Sequence, residues 1–210
     1  MQRSSTSETG TTVINQKWIE GGKDIYFTVP VEKCPRETPI KDVKISYNED
    51  WQEKWMGQLT IYKKRAPYYA TIMQLVRDVL NCDTQYISEM AINSVIKTCQ
   101  YLGIELNYDV YSKMNLPLFE VEAPDEWALG ITREMKYDTY VNPPGGKTFF
   151  DANKYKKANI ELEFLTQEIQ KYNQRIREFV PGLSILDVMM FCTPEEIRSM
   201  MDSYKIEKGE

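Results

Sequence analysis

Histidine is missing altogether from the 210 residues. This removes the side chain that most often acts as a general base near neutral pH, and with it any Ser–His–Asp or Cys–His mechanism within the chain. Any catalysis must use carboxylates, Lys, Tyr, Cys or plain positioning. Cysteine is scarce: Cys34, Cys82, Cys99 and Cys192 are the only four, and none forms a Cys-x-x-Cys pair. No close-spaced pair is there to nucleate a zinc site, so free, partly buried thiols of a reducing compartment are the plain reading, and no metal is expected. No stretch comes near the ~20 apolar residues a membrane helix requires, and the polar start Met1-Gln2-Arg3-Ser4-Ser5-Thr6-Ser7 lacks signal-peptide character. The expectation is a cytoplasmic protein with no membrane partner. Positive charge is in deficit, with 26 Lys and Arg against 31 Asp and Glu for a net charge of -5. Such a chain brings few cations to displace counterions from a polyanion, so nucleic acid is not an expected partner. The basic clusters Lys63-Lys64-Arg65 and Lys154 to Lys157 are short and read as solvated helix faces.

What is present suits a folded α/β protein. Hydrophobic residues make up 42% and aromatics 12%, enough for a substantial core or an aromatic-lined groove. The length fits one domain, read here as residues 11–205, with flexible ends at 1–10 and 206–210. Thr11 to Asn15 and Asp24 to Val31 read as strands around a Gly21-Gly22 hairpin turn. A short strand, Val43 to Ser46, precedes a helix capped by Asn48 or Asp50 and ending near Arg65. Its apolar stripe is Trp51, Trp55, Leu59 and Tyr62, read as core packing. Helices are expected over 68–81 and 84–102, the latter stopped by Gly103. Ile104, Leu106, Tyr108 and Val110 alternate with polar residues and predict a strand. A helix over 124–135, a strand over 138–142, a short helix over 151–157 and a strand over 160–164 follow. Two last helices cover 184–192 and 194–204, the second opened by Thr193-Pro194-Glu195-Glu196 with capping Thr, Pro at the first position and Glu three residues on. The predicted sheet is mixed: an antiparallel N-terminal hairpin, then a more parallel C-terminal part with helices packed around it.

Three places offer chemistry, each with a structural alternative. Asn142-Pro143-Pro144-Gly145-Gly146 is either a rigid turn or a binding turn at the carboxyl end of a strand, where backbone N–H groups meet a phosphate. Gly145-Gly146-Lys147-Thr148 imitates the end of a P-loop, but Val141 stands where that motif requires Gly. Lys147 remains a point charge for an anion. Ser184 and Asp187 suit a helix cap, and equally a site in which the helix start faces an anion. Asp151 either caps the short helix after it or serves as a base or hydroxyl acceptor.

Four ordered segments resemble the WbqC-like protein family of bacterial surface-polysaccharide clusters. They are Thr38 to Tyr47 with the Trp51–Trp55 helix and Tyr62 to Tyr69; Tyr101 to Ile104; Tyr140 to Gly146 with Phe149, Phe150, Asp151 and Ile160-Glu161-Leu162; and Tyr172, Gln174 and Phe179 to Asp187. Members of the family begin with a strand and an aromatic, Gly-containing segment; this chain passes almost directly to the hairpin that follows it, so a shortened member, a misplaced start or a fragment is expected. Lys41, Arg65, Tyr172 and Gln174 lie in the matching segments; Lys and Arg suit a diphosphate, and Tyr and Gln suit sugar or base edges. The resemblance implies a transferase attaching an aminoacyl or acyl group to a nucleotide-linked amino sugar, with a sugar nucleotide as the small-molecule ligand. Asp151 and Asp187 would act in catalysis. Lys41, Arg65, Asn142, Gly145, Gly146, Lys147, Tyr172, Gln174 and Ser184 would bind substrate. The alternatives are a non-catalytic ligand-binding or assembly protein, or a truncated family member that retains only the ligand pocket, and an acyl-adenylate-forming ligase, which would need ATP and the family's opening segment. The sequence specifies no cofactor and no oligomeric state. The Pro-Gly turn and the penultimate helix start are expected to converge on one anion-receiving cleft.

Overall fold

A computed structural model describes residues 16–20, 23–117 and 119–210. The chain forms two compact units, where the sequence suggested one domain: one runs to Tyr108 and includes Gln170–Met200, and the other comprises Asp109–Ile169 with Met201–Glu210.

The first unit is mainly helical. Strands β1 (Gln16–Glu20) and β2 (Lys23–Phe27) pair antiparallel, Glu20 opposite Lys23. The hairpin therefore lies at Gln16–Phe27; the strand expected at Thr11 to Asn15 and the Gly21-Gly22 turn fall outside the described residues. Helices α1 (Trp51–Leu59), α2 (Tyr69–Leu80), α3 (Ile87–Leu102), α6 (Ile185–Phe191) and α7 (Pro194–Met201) supply most of the core. Their ends follow local chemistry. The Asp50 carboxylate accepts from Glu53 N at the start of α1. Thr193 and Glu196 cap α7 reciprocally, through Thr193 N to Glu196 Oε2 at 2.7 Å and Glu196 N to Thr193 Oγ1 at 3.2 Å. Gly103, at φ 65°, ends α3 in the left-handed region, and Arg198 donates to the Leu102 carbonyl there. Trp51, Leu59 and Tyr62 are buried as the stripe predicts. The strand expected over Val43 to Ser46 is reduced to isolated bridges, Val31 with Ile45 and Lys44 with Tyr86.

The second unit carries the three-stranded sheet β3 (Thr139–Asn142), β4 (Glu161–Gln167) and β5 (Tyr204–Lys208), in the order β3-β4-β5. β3 and β4 are parallel, joined through α5 (Ala152–Lys157), while β5 returns antiparallel on β4. With α4 (Glu126–Glu134), these elements enclose a small core of Ala152, Tyr155, Ile160, Leu162 and Phe164. Two expectations are corrected. Ile104 to Val110 lies in no strand, because alternation describes a half-buried backbone and cannot supply the neighbour whose N–H and C=O complete a ladder. Tyr204–Lys208 forms a strand instead of continuing the last helix into a loose end, because β4 offers it an edge. Its five residues are all exposed, so no buried face marks it.

The Pro-Gly turn belongs to this unit. A Cβ on Gly146 would stand 2.2 Å from Asn142 Nδ2 and 2.9 Å from the Phe150 ring, whereas nothing lies within 4 Å of one on Gly145. Gly146→Ala should therefore cost about 1–3 kcal/mol in urea unfolding, and Gly145→Ala should stay within about 0.5 kcal/mol of the parent.

Candidate functional site

In the helical unit a carboxylate sits at the centre of a buried polar network. Ser184 caps α6, its Oγ accepting from Leu186 N at 3.1 Å, and Asp187 follows in the first turn. Asp187 is only 2% exposed. Its Oδ2 accepts from Tyr62 Oη at 2.5 Å; its Oδ1 accepts from Tyr172 Oη at 2.6 Å and from Gln174 Nε2 at 3.3 Å. Gln174 is held by Val180, whose N donates to Oε1 at 2.8 Å while Nε2 donates to its carbonyl at 2.9 Å. Gln174 Nε2 also donates to Tyr172 Oη at 3.1 Å, so the Tyr172 hydroxyl accepts one hydrogen bond and gives one. A buried carboxylate is tolerated only with such donors around it, and the start of α6 adds a favourable dipole.

Burial above all, then the charge and hydrogen bond of Asp187, raise the Tyr62 and Tyr172 phenols well above their ordinary value of 10.0. Both are donors at neutral pH and neither is a base. Because their native pKa values are raised, their contribution to stability is complete below pH 10. Above it the unfolded chain releases protons that the native state retains, and stability falls. Urea unfolding between pH 9 and 11 should show this fall, and Tyr62→Phe should reduce the loss over that whole interval by about 1.4 kcal/mol, half a proton on average. A slope unchanged in the Phe variant would show that Tyr62 does not carry this linkage.

Beside the network lies a cation. Arg65 follows the 3-10 turn Thr60–Tyr62, and its guanidinium carbon sits 5.1 Å from the Tyr62 ring centre and 6.0 Å from that of Phe191. Its Nε is buried without an acceptor among the described residues. Buried donors normally find acceptors, so this one stands out as an unmet donor on a permanently charged, planar group.

These residues fall within a continuous family match, for the profile of the WbqC-like protein family covers residues 9–199. The chain belongs to the WbqC-like protein family. No curated protein and no solved structure matches it. Membership points to a polysaccharide-related role.

The other residues singled out in this WbqC-like chain are distributed as follows. Lys41 is exposed in the 3-10 turn Ile40–Asp42, which packs against α3. Asn142, Gly145, Gly146, Lys147 and Asp151 belong to the sheet unit, not to the helical unit that holds Asp187. Asn142 donates to the Pro143 carbonyl at 2.9 Å and accepts from Tyr140 Oη at 3.0 Å. Lys147 pairs with Glu207 of β5 at 2.7 Å. Asp151 caps α5, accepting from Asn153 N at 2.9 Å. Lys154, read as part of a solvated face, instead pairs with buried Asp125 at 3.1 Å and with Glu126 at 2.7 Å.

Sequence reasoning missed Tyr62 and Phe191 as members of the site. Tyr62 ends an apolar stripe and was read as core, yet its phenol gave it a polar end that needs a partner when buried. Phe191 carried no signal beyond an apolar helix position. Cys192 is buried, its thiol pushed up to about 11 chiefly by burial and then by Glu196 and Asp187, so it is not a nucleophile at neutral pH. Among the described residues, no group of three His, Cys, Asp or Glu is placed to hold a metal, and no helix is long and apolar enough to cross a membrane.

Proposed function

We propose that the chain is a transferase of surface-polysaccharide biosynthesis that attaches an aminoacyl or acyl group to a nucleotide-linked amino sugar, with Arg65 receiving the diphosphate. The observation that carries this reading is the Arg65 guanidinium, stacked by Tyr62 and Phe191, with a buried donor lacking an acceptor among the described residues. Tyr172 and Gln174 supply hydroxyl and amide groups suited to sugar or base edges. Asp187, enclosed by three donors, acts through Tyr62 and Tyr172 as a positioning residue and does not itself meet substrate. In the sheet unit, the open space beside Gly145 supports approach of a ligand to the backbone of the turn.

A thermal-shift panel of sugar nucleotides, nucleoside diphosphates, ATP and amino acids tests the reading, since a ligand that binds the native state raises its melting temperature. Sugar nucleotides should stabilise most. A panel in which none of them shifts the transition would end the proposal.

The second reading is a binding or assembly protein without chemistry. It is favoured by the state of both candidate catalytic carboxylates: Asp187 is buried under hydrogen bonds, and Asp151 caps α5. Mass spectrometry of a stabilising sugar nucleotide incubated with protein and activated acyl donors separates the two. A mass gain on the sugar supports transfer, and binding without any gain supports the second reading.

A further inference from the structure

The helical unit contains a cavity of about 220 Å³ between α2, α3 and the start of α6, closed on a further side by Val29 and Trp55. Among the described residues, no Asp, Glu, Lys or Arg lines it. Its walls include Val76, Val79, Met90 and Leu186, and the polar groups among the described lining residues are the Ser94 and Thr98 hydroxyls, the Cys99 thiol and the Trp55 indole N–H. Both hydroxyls are engaged by their own helix, Ser94 Oγ donating to the Ala91 carbonyl at 2.7 Å and Thr98 Oγ1 to the Ser94 carbonyl at 2.8 Å. Water entering the cavity would therefore find few partners, and an unfilled apolar void forfeits the dispersion contacts that close packing provides. Val95 lines the cavity yet is 52% exposed, which places the mouth on the outer side of α3.

We propose that this cavity is a binding site for an uncharged hydrocarbon group, such as a short acyl chain or a single aromatic ring, entering past Val95 with any polar end left at the mouth. The class follows from the lining: with no ion or unpaired hydroxyl among the described lining residues, a charged group would lose its hydration without compensation. The size follows from the volume: an apolar cavity of ~150 Å³ admits benzene, so this one takes on the order of six to ten carbon atoms. None of the residues carrying the nucleotide reading is used, so failure of either proposal leaves the other standing.

The test titrates benzene, and separately 1-hexanol, into the full chain. It follows the Met90 methyl signal by NMR and the alkylation rate of Cys99 by a maleimide, with exposed Cys34 as the internal reference. The expected result is a saturable one-to-one shift of the Met90 methyl. At ligand concentrations about nine times the dissociation constant, Cys99 alkylation should slow about tenfold while that of Cys34 stays unchanged. Val95→Trp, which closes the mouth from an exposed position, and Val79→Phe, which fills the interior, should each abolish both effects with the far-UV spectrum intact. A Met90 signal that does not move or does not saturate would overturn the proposal. So would undiminished binding by both folded variants. If Cys99 reacts too slowly to time, the methyl shift alone decides.

Discussion

Asp187→Ala should destabilise the protein by about 3–5 kcal/mol, the largest loss expected from any single side chain of the site. The carboxylate accepts from Tyr62, Tyr172 and Gln174 while being 2% exposed. Its removal leaves these donors facing a void instead of water, and a buried group without its partner costs more than the lost bond contributed. Asp187→Asn keeps the shape and one acceptor, and a phenol hydroxyl can turn to accept from the new amide, so about 1–2 kcal/mol is expected. Tyr172→Phe should fall in the same range. Urea unfolding monitored separately by tryptophan fluorescence and far-UV circular dichroism measures the series. An Ala variant within about 1 kcal/mol of the parent would mean that the network does not hold α6 in place.

Arg65→Ala should weaken sugar-nucleotide binding by about 10–100-fold, the effect of losing one charge-assisted contact to a diphosphate. Arg65→Lys should recover little of it. Lysine restores the charge but not the planar fork, nor the stacking on Tyr62 and Phe191 that fixes its direction. Calorimetric titration at two salt concentrations measures this, with the wild-type affinity falling more steeply with salt than that of the Ala variant. Equal affinity in all three proteins would remove Arg65 from the site and with it the main support for nucleotide binding. Melting temperatures of the unliganded variants serve as the control.

Local chemistry was legible wherever one segment contains the whole interaction. The reciprocal cap of Thr193 and Glu196, the Ser184 and Asp151 caps, the stop at Gly103 and the Trp51–Tyr62 stripe were readable because each joins residues a turn or a few turns apart. The parallel pairing of β3 with β4 followed from a strand, a helix and a second strand in succession. Of the residues singled out for function, Asp187, Tyr172 and Gln174 meet in one network, and Arg65 reaches it through Tyr62 and Phe191. The Tyr62–Asp187 bond spans 125 positions, so no local period could announce it. The Pro-Gly turn, expected to share a cleft with the start of α6, belongs to the other compact unit. Sequence order ties the two stretches to one chain without fixing their neighbours.

By itself the sequence determined the caps at Asp151, Ser184 and Thr193, the stop at Gly103, the absence of imidazole chemistry and the family segments. These depend on backbone preference, side-chain type and short spacing, all of which act within a few residues. Only the tertiary structure decided that Ile104 to Val110 finds no ladder partner, that exposed Tyr204–Lys208 becomes a strand, and that a carboxylate in a capping position is buried beneath two phenols. Each of those outcomes depends on which distant group supplies a hydrogen-bonding edge or excludes water, and long-range packing alone sets that.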